Sequence, residues 1–268
     1  MLLLIFLEKE IAMNNLKSIL LSSSGFELWF NDVAESFRKT FIAEERWLQL
    51  LKGLLVTLEI TIVATLIGIV LGFLVAAVRS TYDKNLAGKK CRNIGDVVLK
   101  IFNGICNVYL TVIRGTPIVI QLMIIYFIVF ANIRNGIYAA FVAFGINSGA
   151  YVAEIVRSGI MSIDKGQFEA GRSLGLNYIQ TMWHIVFPQA FKNILPALGN
   201  EFIVLIKETL VAGYVALKDI TYVGNLIRSR TYEAFFPLVT VAIIYLAIVM
   251  LLSHFLKKLE RRLRNSDH

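Results

Sequence analysis

Apolar and polar positions along the chain alternate as long uncharged runs separated by basic connections. A helix that crosses a bilayer needs about 20 consecutive, mostly apolar residues. Residues 53–78 meet that requirement with a single charge, Glu59. Residues 118–133 are uncharged and follow Arg114-Gly115-Thr116-Pro117 and a further apolar stretch, 101–113. Because Pro117 and Gly115 weaken a continuous helix, 97–133 reads as one span with an irregular or interfacial lead-in. Residues 136–157 come next, with Glu154 in the apolar run. Residues 196–217 are apolar but hold Glu201, Lys207 and Glu208, whereas 235–256 carries no formal charge. The pattern predicts an all-α polytopic membrane protein with about five transmembrane helices. They form a membrane domain over 50–257, between an extramembrane or interfacial extension, 1–49, and a basic tail, 258–268. Met1–Leu7 is too short and lacks the basic flank of a signal peptide, and Met13 is an alternative start.

Composition supports this reading. Of the 268 residues 57% are hydrophobic and 17% charged, against about 45–50% and 25% in soluble domains. A mean hydropathy of +0.67 excludes an ordinary soluble domain, disorder and a disulfide scaffold. Cys91 and Cys106 have no metal or framework spacing, and His184, His254 and His268 lie far apart, which argues against a membrane-embedded enzyme. The net charge of +8 reads as membrane orientation and not as nucleic-acid binding. Six basic residues lie in 79–100, four in 157–192 and five in 257–264. With five spans these three segments share one side, the cytoplasm by the positive-inside rule. Arg134, Lys218, Arg228 and Arg230 fall on the other side. The expectation is a multi-pass protein of the cytoplasmic (inner) membrane, with its N-terminus outside and its C-terminus inside.

The connection 158–194 is too long for a simple linker and carries helix punctuation. Asp164 is placed as an N-cap with Gln167 three residues on, so a short helix is predicted over 168–174, with Gly175 as its stop. Asn177 then caps a second helix, with Gln180 three residues on, running to Pro188. Such a helix–Gly–helix elbow, with Glu169 and the small residues Ala170, Gly171 and Gly175, suits a docking knob; an amphipathic helix lying on lipid is the alternative.

Glu169-Ala170-Gly171, Gly175 and Ile185-Val186-Phe187-Pro188 resemble the EAA loop of binding-protein-dependent ABC importer permeases. That family's pattern is Glu-Ala-Ala, three residues, Gly, nine residues, Ile-x-Leu-Pro, so the chain departs from it mildly at Gly171 and Phe187. Arg114-Gly115-Thr116-Pro117, 147–154, Lys165-Gly166-Gln167, Pro188-Gln189-Ala190, Asn200-Glu201 and 205–209 resemble the polar amino-acid (HisMQ-like) branch. The resemblance covers roughly 50–260. It implies the ABC transmembrane type-1 fold and a coupling loop that seats Glu169, Ala170, Gly171 and Gly175 in a separate ABC ATP-binding subunit. The further partners it implies are an extracytoplasmic solute-binding protein, a second permease copy (identical or paralogous), membrane lipid and a polar amino-acid substrate. No Gly-x-x-x-x-Gly-Lys-Ser/Thr phosphate loop occurs, since Gly88-Lys89-Lys90 lacks the earlier Gly and the Ser/Thr. The chain is therefore expected to bind no cofactor and to lack ATPase activity, with ATP used by the partner.

Ionisable and polar residues at membrane depth are costly, which makes them functional candidates. Asn147, Tyr151, Glu154 and Ser158 recur at helical spacing on one face. Glu154 suits substrate contact or structural pairing equally, and Gln121 is a candidate lining residue. Lys207 and Glu208 can bind a zwitterion or pair with neighbouring helices. Glu201 and Lys207 are read as structural or gating, because the family has Lys before an acid here whatever it carries. Thr57, Thr61, Thr65, Gly68 and Gly72 form a stripe that close helix packing explains, at least at the two glycines. A self-sufficient ion-coupled secondary carrier remains the alternative, against which stands the lack of an internal repeat.

Overall fold

The computed structural model of the protein describes residues 23–133 and 135–265. Arg134 and residues 1–22, including both candidate starts, lie outside the described residues. The N-terminal extension contains helix α1 (Ser23–Phe37), a wide turn (Arg38–Ile42) and a short tight turn (Ala43–Glu45). Arg46 closes this bend, donating to the Lys39 carbonyl and pairing with Glu44 at 3.3 Å. It opens α2 (Arg46–Asn85), whose 40 residues make a rod about 60 Å long at 1.5 Å per residue, so it overhangs both faces of a bilayer.

The segment 97–133 holds two helices, and its first part is a regular helix where an irregular lead-in is expected. Helix α3 (Ile94–Gly115) is 22 residues long and regular; α4 (Ile118–Ile124) is short and widens into a turn over Ile125–Val129. Thr116 and Pro117 between them are extended. Pro117 has no N–H to close the helical bond to Ile113, and its ring disfavours helical backbone at Thr116. Helix α5 (Ile137–Met161) follows, then the elbow helices α6 (Lys165–Ser173) and α7 (Tyr178–Thr181). A wide turn over Met182–Val186 carries α7 directly into α8 (Phe187–Glu208), which tightens over Thr209–Val215. The second elbow helix thus does not end at Pro188. Pro188 lies in the first turn of α8, where its missing N–H is tolerated, so this span starts nine residues before 196 and the loop is correspondingly shorter. Helix α9 (Ile220–Thr231) and α10 (Phe235–Asn265) complete the described residues. The basic segment from 258 is the continuation of α10 through Asn265.

Four stretches of the described chain are long and apolar enough on their own to cross a membrane: Gly25–Asn85, Ile94–Gly115, Ile137–Met161 and Phe235–Leu263. Helix α8 is not among them, yet it runs antiparallel along α5. Gly159 faces Ile194 near one end, and Ser148 meets Glu201 further along. Helices α2 and α5 run parallel, with Gly68 against Ser148 and Gly72 against Val152. Helix α3 returns against both: Arg79 bonds Asn107 at 2.9 Å, and the Tyr109 hydroxyl donates to the Ile146 carbonyl at 2.6 Å. Helix α10 passes α9 at Gly224–Val241 and reaches α8 at Gly199–Leu256. Among the described residues five passes result, made by α2, α3 with α4, α5, α8 and α10. The elbow lies at the end shared by the C-termini of α2 and α5.

The core follows this arrangement. Ile60, Leu122, Phe144 and Leu205 pack between α2, α4, α5 and α8; Ala76, Val152, Val186 and Ile194 form a second cluster toward the elbow. The Thr57 hydroxyl donates to Gly53 and accepts the Ile220 N–H, and the Thr61 hydroxyl donates to Thr57. Thr57 therefore ties α2 to the start of α9, whereas the Thr61 bond stays within α2. Buried Asp219 accepts from the Thr221 and Tyr222 amides as the cap of α9.

Candidate functional site

The break between α3 and α4 organises the first part of the site. The carbonyl of Ile113, which Pro117 cannot serve, accepts instead from the Gln121 side-chain amide at 2.7 Å; the same nitrogen reaches the Thr116 carbonyl and hydroxyl at 3.0 and 2.8 Å. The Gln121 oxygen accepts from Asn147 at 3.2 Å. Both residues are buried, so this pair locks the break to α5 and does not itself face open space.

One and two turns further along α5 the same face becomes accessible. The Arg114 guanidinium lies 5.5 Å from the Tyr151 ring centre and 3.9 Å from the Glu154 carboxylate; its side chain is 44% exposed and that of Glu154 27%. Arg157 forks onto Glu154, with Nε and Nη2 at 3.2 and 3.3 Å from its two oxygens, and also pairs with Asp83 at 3.1 Å. Glu154 is thus both structurally paired and open to solvent. It lines an open cleft of about 500 Å³ between α5 and α8 with Ser158, Ser162, Asn193 and Ala197. Arg114 stands in the sequence motif, but its place beside Glu154, 40 residues on, arises only when α3 folds back along α5.

The α8 candidates are not gathered into this group. The Glu201 carboxylate lies 3.4 Å from the Ser148 hydroxyl, at the small-residue seam. Lys207 is exposed and Glu208 half-buried, immediately before the tightened end of α8.

The elbow forms as its punctuation requires. The Asp164 carboxylate accepts from the Gly166 amide at 2.7 Å, so α6 starts at Lys165, three residues before the expected 168. Asn177 and Gln180 make a reciprocal capping box with both bonds at 2.9 Å. Gly175 has φ +78, and the Leu176 amide bonds back to the Gly171 carbonyl, the close of a left-handed helix cap. Glu169 and Ala170 are exposed, as is the neighbouring Leu174, while Gly171 is buried. A Cβ at 171 would lie 2.7 Å from the Thr181 hydroxyl, so Gly171 serves the contact between α6 and α7 and offers no surface to a partner. A cleft of about 460 Å³ separates the elbow from the end of α2, lined by Asp83, Lys84, Lys165, Phe168 and Tyr178 among others. Burial there raises the Tyr178 phenol above its ordinary pKa.

A polar face at membrane depth joined to a capped, exposed elbow agrees with the family whose sequence model matches residues 97–265, described as "Binding-protein-dependent transport system inner membrane component". The chain belongs to this family. Among its relatives are the arginine transport system permease protein ArtQ of Bacillus subtilis, 38% identical over 222 residues (81% of this chain, 94% of that protein), and the glutamine transport system permease protein GlnP of Escherichia coli K12, 36% identical over 219 residues (80% and 93%). A solved amino acid ABC transporter with histidines superposes with a TM-score of 0.70 at 38% identity, covering 80% of this chain and 94% of that one. An inward-facing MetNI methionine ABC transporter superposes at 0.71 with 19% identity, a likeness of fold. This binding-protein-dependent permease is therefore the membrane subunit of an ABC importer and not an ion-coupled secondary carrier. Its family works with a separate ATP-binding subunit and a solute-binding protein.

Proposed function

We propose that this permease carries a polar amino acid inward across the cytoplasmic membrane, driven by ATP hydrolysed on a partner subunit. One observation carries the reading of the cargo: Arg114 and Glu154 stand side by side, both partly exposed, on a face at membrane depth. A guanidinium and a carboxylate offered together match the α-carboxylate and α-ammonium of an amino acid, whatever its side chain. Tyr151 beneath Arg114 holds the guanidinium in place; Asn147 and Gln121 hold the helix break that aims it. The names of the relatives, transport permeases for glutamine and arginine, support the same class. The elbow, through Glu169, Ala170 and the Gly175 turn, docks on the ATPase. Neither cofactor nor metal is needed by this chain. The basic connections at the elbow end lie in the cytoplasm, so the N-terminus is outside and the C-terminus inside. The exposed α5–α8 cleft is completed by a second permease copy. Lys207 and Glu201 act in gating or architecture, and Glu208 at the opposite end of α8 lines the outer pathway.

The test is uptake of labelled glutamine, arginine and histidine into proteoliposomes. The permease, reconstituted with its ATPase and binding protein, is expected to accumulate at least one of them with ATP. The permease alone, given an ion gradient, is expected to accumulate none. Gradient-driven uptake by the lone chain would overturn the reading.

A further inference from the structure

We propose that Arg157 is the positioning residue that couples the cargo face to the elbow. Its guanidinium joins Glu154 on the cargo face to the end of α2, which faces the elbow. Nε and Nη2 grip the two oxygens of Glu154, while Nη1 reaches Asp83 at 3.1 Å. Asp83 belongs to the last turns of α2 and lines the cleft against the elbow. The next residue, Lys84, holds its ammonium 4.1 Å from the centre of the Phe168 ring on α6, and Phe168 precedes the exposed Glu169. A continuous set of contacts therefore runs from Glu154 through Arg157, Asp83 and Lys84 to α6.

The geometry gives this connection direction in both senses. A planar fork fixes the orientation of the carboxylate it grips. Movement of α6 against the end of α2 alters the hold of Asp83 on Arg157, and with it the orientation of Glu154. Conversely, a cargo ammonium at Glu154 competes with the guanidinium and loosens the fork. Arg157, Asp83 and Glu154 are each about a quarter exposed, so these contacts are partly shielded from water and each partner depends on the others. Lysine cannot replace this, because a point charge does not engage two carboxylates in fixed directions.

This inference rests on Glu154 facing the cargo. It is tested in the reconstituted complex by ATP hydrolysis with and without cargo-loaded binding protein, and by cargo moved per ATP. For Arg157→Gln and Asp83→Ala, basal hydrolysis is expected to stay close to that of the unaltered complex. The cargo-stimulated increment is expected to fall about tenfold, a typical coupling magnitude, and the double variant to be no worse than either single one. Arg157→Lys is expected to recover only part of the increment. Full stimulation in either single variant overturns the proposal. So does a parallel loss of basal and stimulated hydrolysis, or an additive double variant. If Arg157→Gln does not assemble, Asp83→Ala decides alone, since it leaves the Glu154 fork in place. Absence of any cargo stimulation in the unaltered complex would instead sink the functional reading of Glu154.

Discussion

Two glycines, Gly72 in the α2–α5 seam and Gly175 in the elbow, are required for opposite reasons. A Cβ on Gly72 would lie 2.6 Å from the Val152 Cβ and 2.9 Å from the Ala153 amide nitrogen. There the two backbones meet and nothing flexible can yield. A Cβ on Gly175 meets nothing within 4 Å, and the demand is for φ +78 alone. The seam is a packed interior whose geometry is set by contact. The elbow is a local shape set by caps and turned outward. Stability therefore resides in the first and, on the proposed docking of the elbow, communication with a partner in the second, which means that changes in the two regions should separate folding from transport.

The largest effect is expected at the seam. Gly72→Leu forces a four-carbon side chain between two helices, where overpacking costs about 1–3 kcal/mol or more. The yield of monodisperse protein in detergent and its melting temperature should both collapse. A variant with an unchanged melting temperature would show that the seam is not closed as described.

Gly175→Trp should do the reverse. Left-handed backbone costs a residue with a Cβ about 1–2 kcal/mol, which a bundle of this size can absorb. The chain is expected to insert and to melt near the normal temperature, while uptake by the assembled complex is lost because the indole occupies the docking surface. Normal uptake would remove the elbow from the coupling role.

Asn177→Ala is the mildest of the three. It deletes one arm of the capping box at a cost of about 1 kcal/mol. Faster amide hydrogen exchange at 178–181, with the rest of the protein unaffected, is the expected signature. Exchange spreading into α5 or α8 would mean that the elbow is not the independent unit described.

Both regions were partly legible in the sequence, to different depths. The caps at Asp164 and Asn177 and the stop at Gly175 act through neighbours within a few residues, so local spacing suffices to place them. The stripe of Gly68 and Gly72 was also visible, because close approach requires small side chains at helical intervals. Gly171 was misplaced as a docking residue, since its neighbour, Thr181, belongs to the next helix. Gln121 was assigned to the pathway lining because a polar side chain in an apolar run looks functional. Its first task is to serve the Ile113 carbonyl that Pro117 abandons, a debt that only the shape of the break reveals.

By itself the sequence determined that the chain is built of membrane helices, how the elbow is punctuated and which family pattern the chain follows. These depend on periodicity, charge and contacts between near neighbours. Only the tertiary structure decided that α8 counts as a pass, because it packs along α5. It alone brought Arg114 to Glu154, and Arg157 to Asp83, 74 residues apart. The physical reason is that a charge separated from its partner by two or three helices has no local signature. Which carboxylate a guanidinium meets is settled by how the helices pack.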